Sequence, residues 1–242
     1  MNWILFEAAE IDREYRILCC DQRAEHIRKV LHTVPGQAIR VGIIDGPAGI
    51  AWVEAIEGEM VRLRWTADTD LPPRPRTDLL LALPRPKVMK RLWAPLASIG
   101  VGHIAVTNAA KVERNYFDTH WLQPDYYRPL LLEGLQQAGD TRLPVVSLHR
   151  QFRPLVEDRL AELFPGCRRL VADPSGGHRF RDLTFPDKAR AVIAVGPEGG
   201  WTPFELNLLQ TAGFVSVRAG DRILRTDTAC LALLALLQDR IE

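Results

Sequence analysis

The residues whose types and spacing could do chemistry lie in two short segments near the C-terminus. The first is the glycine-rich sequence GPEGG, residues 196–200, which follows an apolar strand pattern and precedes a helix start. Its glycines can adopt positive φ or pass close to a ligand, because no Cβ stands in the way. Since ligands in open α/β sheets bind where strands end and helices begin, this turn is a candidate binding loop.

The residues after the glycine turn predict a firmly fixed helix start. Thr202 stands at the expected N-cap, Pro203 at the first helical position and Glu205 at the third. This arrangement is a capping box, in which the threonine and glutamate side chains bond each other's backbone N–H groups.

The second segment, AGDRILRTDTA at residues 219–229, is another strand-loop-helix junction. Thr226 or Asp227 can cap the following helix. Arg225 directly precedes that helix, where the helix dipole favours anions over cations. A cation at this position indicates a negatively charged partner, so Arg225 is the first candidate for a reactive group.

The sequence lacks the motifs of several other common types of functional site. The chain lacks the G-x-G-x-x-G and G-x-x-x-x-G-K-[ST] phosphate loops and the G-x-S-x-G elbow of hydrolases. Its histidines and four cysteines show no metal-ligand spacing, so we expect no metal site and reduced thiols. We expect the tryptophans in the core or in interfaces rather than as base-stacking platforms, with Trp201 able to line a pocket.

The elements that must position these residues fall into two regions. Short strands are predicted at residues 15–19, 38–44, 50–56 and 60–65, with one helix at 22–31, and this pattern suggests a small β-barrel over residues 1–70. Residues 71–76, LPPRPR, form a predicted stiff linker. Residues 77–242 then alternate strands with helices.

This alternation predicts an α/β domain with a mostly parallel sheet covered on both faces. The strands are expected at 79–83, 103–107, 145–148, 169–172, 191–195 and 214–217, and the helices at 88–99, 125–138, 152–164, 203–212 and 227–241. Gly100 and Gly213 are placed to close two helices, and Pro95 should kink the first. The last helix is apolar nearly all round, so either an internal position or a subunit interface must cover it.

Composition bounds the class of protein. The chain has 242 residues, 47% of them hydrophobic, which is ample for a core. The N-terminus lacks the basic region of a signal peptide, and the longest apolar run, residues 229–237, is too short to span a bilayer. We therefore expect a cytoplasmic protein with no membrane partner.

The net charge of +1 hides an uneven distribution. Residues 74–91 carry six basic side chains and one acid, Asp78. This segment can be an anion-binding surface or a solvated linker and helix face, and the charge pattern alone does not decide between them.

Together, GPEGGWTPFE and RILRTDTA closely resemble the paired C-terminal motifs of the bacterial 16S ribosomal RNA uridine-N3 methyltransferases, within the SPOUT superfamily of knotted methyltransferases. Weaker similarity runs along the chain through HIRKVLHTVPGQAI at 26–39, SIGVGHIAV at 98–106 and QQAGDTRLPVV at 136–146.

The resemblance implies an N-terminal PUA-like or OB-like barrel that binds RNA and a SPOUT α/β domain with a deep trefoil knot, an exception to the rule that chains avoid knots. It also implies S-adenosyl-L-methionine as cofactor, a homodimer formed through the C-terminal domain, and methylation of a uridine N3 in the small ribosomal subunit. Carried over by position, the cofactor site comprises Val195, Gly196, Glu198, Gly199, Gly200, Ile223, Leu224, Arg225 and Thr228. We expect RNA contacts from Lys29, His32, Arg85, Lys87 and Arg91.

The implied reaction gives Arg225 a role. N3 of uracil attacks well only after losing its proton, so a cation that stabilises the uracil anion lowers the barrier. The target base must leave its stack to reach the methyl group. For Glu198, two roles stay open: holding the cationic cofactor or loop, or bonding peptide N–H groups of its own turn.

Some positions depart from the family pattern, namely Pro95 and Ser98 before Ile99, Asp140 where a basic residue is usual, and His32 in place of arginine. These changes leave two alternatives open. The enzyme can act on another ribosomal or transfer RNA position, or the chain can be an inactive RNA-binding paralogue in ribosome assembly.

Overall fold

The computed structural model describes residues 3–241, so the ends of the predicted 1–70 and 77–242 regions lie outside the described residues. The chain forms two compact units. The first comprises the residues up to Pro73 together with Leu132–Leu143, and the second comprises Arg74–Leu131 and the residues from Pro144 onward. No helix within residues 3–241 combines the length and apolar character that crossing a membrane requires.

The first unit is built on a curled five-stranded sheet, a half-barrel where the sequence predicted a small barrel. Its order is β1-β3-β4-β5-β2, and a core of buried residues that includes Phe6, Ile17 and Leu63 packs with Ala24 and Ile27 of the helix α1. The elements are β1 Ile4–Phe6, β2 Arg16–Cys19, α1 Gln22–Lys29, β3 Ala38–Ile43, β4 Ala48–Glu57 and β5 Met60–Ala67.

Asp140, one of the positions that depart from the family pattern, also lies in the first unit. Its Oδ1 accepts the N–H groups of Thr141 (2.6 Å) and Arg142 (3.0 Å). The Thr141 carbonyl in turn accepts the Asp45 N–H at 2.8 Å. The carboxylate therefore fixes its own turn, as short acidic side chains often do, and this local role accounts for an acid at position 140.

The second unit is built on a seven-stranded sheet in which every pair of neighbours is parallel, as predicted. The order is β10-β12-β9-β11-β6-β7-β8. All five residues of the central strand β11 are buried, as expected of a strand covered on both faces. The strands are β6 Thr77–Ala82, β7 Val101–Thr107, β8 Val145–His149, β9 Arg168–Ala172, β10 His178–Arg179, β11 Ala191–Val195 and β12 Val215–Arg218.

The helices of this unit agree closely with the predicted ones. They are α2 Pro86–Ser98, α3 Pro124–Ala138, α4 Phe152–Pro154, α5 Leu160–Leu163, α6 Pro203–Thr211 and α7 Thr226–Ile241, and α3 ends within the segment assigned to the first unit. A π-helical stretch, Leu155–Arg159, separates α4 from α5, where the sequence predicted one regular helix. Gly100 and Gly213 follow α2 and α6 with positive φ, and Pro95 lies inside α2, as predicted. The trefoil knot stays a prediction.

Candidate active site

A cavity of about 830 Å³ opens in the second unit at the carboxyl ends of four parallel strands. Its walls come from the residues that follow β6, β9, β11 and β12, which lie at one edge of the sheet because the strands all run the same way. The size falls within the range of pockets that bury a cofactor. Both candidate loops meet here, the GPEGG loop after β11 and residues 219–225 after β12.

Eight of the nine residues expected at the cofactor site line this cavity: Val195, Gly196, Glu198, Gly199, Gly200, Ile223, Leu224 and Arg225. The ninth, Thr228, lies in a neighbouring groove between α2 and α7, with Arg91 and Pro95. Thr228 belongs to the first turn of α7 rather than to the loop, and this places it beside α2. Among the residues expected to contact RNA, Arg85 lines the cavity, Lys87 is exposed on α2, and Lys29 and His32 are exposed in the first unit.

The glycines of the loop lie where a Cβ would be crowded or where φ is positive. A Cβ at Gly196 would lie 3.2 Å from both the backbone N and the indole Nε1 of Trp201, and one at Gly199 would lie 2.8 Å from Lys111 Cδ. Gly200 has φ +68°, which a residue with a side chain adopts only with strain. Its N–H donates to the Pro197 carbonyl at 2.8 Å, closing the turn.

Two ties from distant parts of the chain hold this loop. Glu198 Oε1 accepts the N–H of Arg85, the N-cap residue of α2, at 3.1 Å. Lys111 Nζ donates to the Gly199 carbonyl at 2.6 Å. Glu198 therefore holds the loop, which is part of the first role considered for it. The N–H that it accepts belongs to Arg85, at the start of α2, and not to its own turn.

Glu205 fixes the helix that follows the loop. Its side chain is 3% exposed. It accepts the Thr202 N–H and hydroxyl, each at 2.8 Å, and the Ala110 N–H at 2.7 Å. The predicted capping box is therefore confirmed. The same carboxylate also ties α6 to the segment after β7, a contact that the local motif did not predict.

Comparison with known proteins decides the class. Residues 72–238 match the family model described as an RNA methyltransferase domain. The chain belongs to this family.

Curated relatives of this RNA methyltransferase carry a more specific name. The chain is 29% identical to the ribosomal RNA small subunit methyltransferase E of Treponema pallidum, over 98% of this chain and 90% of the relative. It is 26% identical to the protein of the same name from Synechocystis, over 100% of this chain and 79% of the relative. A crystal structure of ribosomal RNA small subunit methyltransferase E from Neisseria gonorrhoeae bound to S-adenosyl methionine has the same fold, with a TM-score of 0.80, 22% identity, and coverage of 99% of this chain and 98% of that one.

Arg225 of the methyltransferase lies at the cavity with 71% of its side chain exposed. Its Nη2 lies 3.3 Å from Asp227 Oδ2, and Arg91 Nη2 lies 3.1 Å from the same oxygen. Arg225 thus has an acidic partner within the chain, in the first turn of α7 where an anion is favoured. Asp227 accounts for the charge of Arg225 without a ligand, and Arg225 is a candidate catalytic residue because of its exposed position beside the cavity.

Asp227 is held in its ionised form. Burial of the carboxyl opposes ionisation, whereas the Thr228 N–H and the two guanidinium groups favour it, and the net effect lowers the pKa of Asp227 below its ordinary value. The carboxylate is therefore charged at neutral pH and fixes both arginines beside α7.

Sequence reasoning missed several residues of this site. Lys111 and Ala110 follow β7, and Asp173 and Pro174 follow β9. No motif marks any of them. The sequence feature that could have identified them is their position just after a predicted parallel strand. The carboxyl ends of those strands lie at the same edge of the sheet as the carboxyl end of β11.

We expect Gly200→Ala to lower the free energy of unfolding by about 1 kcal/mol, because alanine is strained at a left-handed φ. For a chain of this length the thermal unfolding midpoint should fall by roughly 2–4 °C. Gly177→Ala is the matched control, since open space surrounds its Cβ position and no positive φ is involved. Equal midpoints for the two variants in a calorimetric scan would show that the turn tolerates a side chain.

Proposed function

We propose that the protein methylates N3 of a specific uridine in the 16S ribosomal RNA of the small subunit, with S-adenosyl-L-methionine as methyl donor. The observation that carries this proposal is the cavity in which the two C-terminal loops meet, in a chain of the RNA methyltransferase family. The names of the curated relatives support the small-subunit substrate. This substrate implies that the protein works in the cytoplasm.

The chemistry of the cavity suits an adenosyl cofactor. Within residues 3–241, the peptide groups of Ile223 and Leu224 have no hydrogen-bond partner, and neither does the buried indole N–H of Trp201. The Ile223 side chain is 86% exposed. The ring nitrogens of adenine suit the peptide groups, and its flat face suits the isoleucine. The residues that would hold the cofactor are those expected from the sequence, apart from Thr228.

When bound, the cofactor supplies a methyl group activated by the sulfonium centre. The two loops would position the target base beside the bound cofactor, a task that Glu198 and Lys111 support by fixing the glycine turn. The exposed guanidinium of Arg225 would stabilise the negative charge that the uracil ring carries once the N3 proton has passed to solvent. Asp227 orients Arg225 for this task.

The proposal also includes contacts with the RNA substrate and between the two subunits of a dimer. Lys29 and His32 of the first unit and Arg85, Lys87 and Arg91 of the second contact RNA. The protein forms a homodimer through the second unit. The apolar residues of the groove between α2 and α7, Leu92, Pro95, Leu231 and Ala232, are the expected contact surface, which is consistent with an exposed Leu236 on α7.

The test is methyl transfer from labelled S-adenosyl-L-methionine to small ribosomal subunits that lack the modification. Nuclease digestion and chromatography should show labelled 3-methyluridine at one nucleotide, and subunits already methylated there should accept no label. Label at a different ribosomal or transfer RNA position would replace the proposed target. Calorimetry that shows no cofactor binding, together with tight and salt-sensitive RNA binding, would instead identify an inactive RNA-binding paralogue.

A further inference from the structure

An aromatic cluster that the sequence did not single out lies beside the basic face of α2. The rings of His120 and Trp121 are 4.3 Å apart, those of His120 and Tyr126 are 4.7 Å apart, and those of Trp121 and Tyr126 meet edge to face at 5.9 Å. His120 is exposed, Tyr126 is 45% exposed and Trp121 is half-buried. The cluster thus presents ring surface to solvent rather than forming part of the core.

The main chain of the cluster is fixed. Trp93, which is fully buried in α2, donates its indole N–H to the Trp121 carbonyl at 3.0 Å. The Trp121 N–H donates to Thr119 Oγ1 at 3.4 Å. A backbone held in place before binding loses little conformational freedom when a ligand stacks on the rings that it carries.

Basic side chains connect this cluster with the candidate active site. Lys87, Lys90 and Arg91 have the i, i+3, i+4 spacing that places them on one helical face, and α2 contains no acid. Lys90 Nζ lies 4.4 Å from the centre of the Trp121 ring, on one side of that face. On the other side, Arg91 bonds Asp227, the partner of Arg225.

The rise of an α-helix gives the scale of this surface. Arg85, at the cavity, and Lys90, at the cluster, are separated by about 7.5 Å along the axis of α2 and by about 140° around it. RNA that occupies the cavity can therefore reach the cluster with a base near the target nucleotide. A base that leaves its stack to enter the cavity also exposes the faces of its neighbours, and aromatic rings beside cations are the usual substitute for a lost stacking partner.

We propose that Trp121, His120 and Tyr126, with Lys90, form a stacking site for an unpaired nucleobase that flanks the target nucleotide in single-stranded RNA. This inference depends on the proposed function for the identity of the target. Lys90 serves twice, by attracting the phosphate backbone and by holding the Trp121 ring through a cation–π contact. The segment 119–127 adds one acid, Asp125, to the surface.

The test compares Trp121→Leu and Tyr126→Leu with Trp121→Phe and Tyr126→Phe, which keep a ring. In small-subunit methylation, each leucine variant should raise KM roughly tenfold while kcat changes little, and each phenylalanine variant should recover most of the loss. Lys90→Gln should weaken binding and lower its salt dependence. Its control is Lys188→Gln, which removes an exposed charge at the opposite end of β11 from the glycine loop.

A second readout separates this inference from the proposed function. An RNA strand with 2-aminopurine beside a uridine should lose fluorescence on binding the unaltered protein and keep it on binding Trp121→Leu. Equal KM values and equal quenching for the leucine and phenylalanine pairs would overturn the stacking site, and so would a change of oligomeric state in Trp121→Leu, because the cluster would then face a second copy. If the unaltered protein forms no methyluridine, the proposed function fails, while the quenching still decides the stacking site.

Discussion

Arg225→Ala should lower kcat for small-subunit methylation about 100- to 1,000-fold, the usual loss when one charge-stabilising donor is removed from a reaction centre. The thermal unfolding midpoint should change little, because the side chain is 71% exposed and its pairing with Asp227 is a surface contact. Asp227 keeps Arg91 as a partner at 3.1 Å in this variant, so no acid is left unpaired. Single-turnover kinetics with saturating cofactor measure the change directly.

Two variants make this result interpretable. Arg225→Lys keeps the charge but loses the planar guanidinium, so its kcat should fall between those of the alanine variant and the unaltered protein. Arg153→Ala is the matched control, since Arg153 is 67% exposed and pairs with Glu157 at 2.8 Å far along the chain from either loop. A kcat for Arg225→Ala equal to that of Arg153→Ala would remove Arg225 from the mechanism.

Glu205→Ala should have the largest effect on stability, a loss of about 3 kcal/mol, because the buried carboxylate of the capping box is removed and the Thr202 and Ala110 N–H groups lose their acceptor. At this chain length the unfolding midpoint should fall by roughly 6–12 °C. Cofactor affinity measured by calorimetry below that midpoint should also fall, because α6 and the segment after β7 lose their common anchor.

Glu205→Gln retains the side-chain shape but offers one acceptor oxygen in place of two, so an intermediate midpoint is expected. Glu162→Ala removes an exposed carboxylate whose partner is Arg159, and its midpoint should match that of the unaltered protein. If Glu205→Ala unfolded at the same temperature as Glu162→Ala, the buried network would carry none of the stability assigned to it.

Local patterns in the sequence predicted much of the fold. Strand periodicity located β11 at the observed residues, and the threonine-proline-glutamate spacing predicted the start of α6. These features depend on residues within a few positions of one another. The three-residue strand β1 and the two-residue strand β10 were not predicted, because they are too short for any periodicity to show.

The sequence predicted the parts of the candidate site that lie within short motifs. It did not predict the contacts between residues that are far apart in the chain. The glycine loop and residues 223–225 were placed in one pocket through a family resemblance, and the structure brings them together. The contacts of Lys111 with Gly199 and of Arg85 with Glu198 join residues with no common motif. The ion pair between Arg225 and Asp227 was also not predicted, although only one residue separates its members, because the pattern was interpreted as helix capping.

The two ties on the glycine turn have a consequence for the order of folding. They join residues 88 and 113 positions apart, so the turn takes its final shape only after the strands between them have assembled. Contacts between such distant residues form late, because the entropy of closing long loops opposes them. During refolding, ligand binding should therefore return after helical circular dichroism has recovered, and a newly made chain gains its cavity only after β12 and α7 have formed.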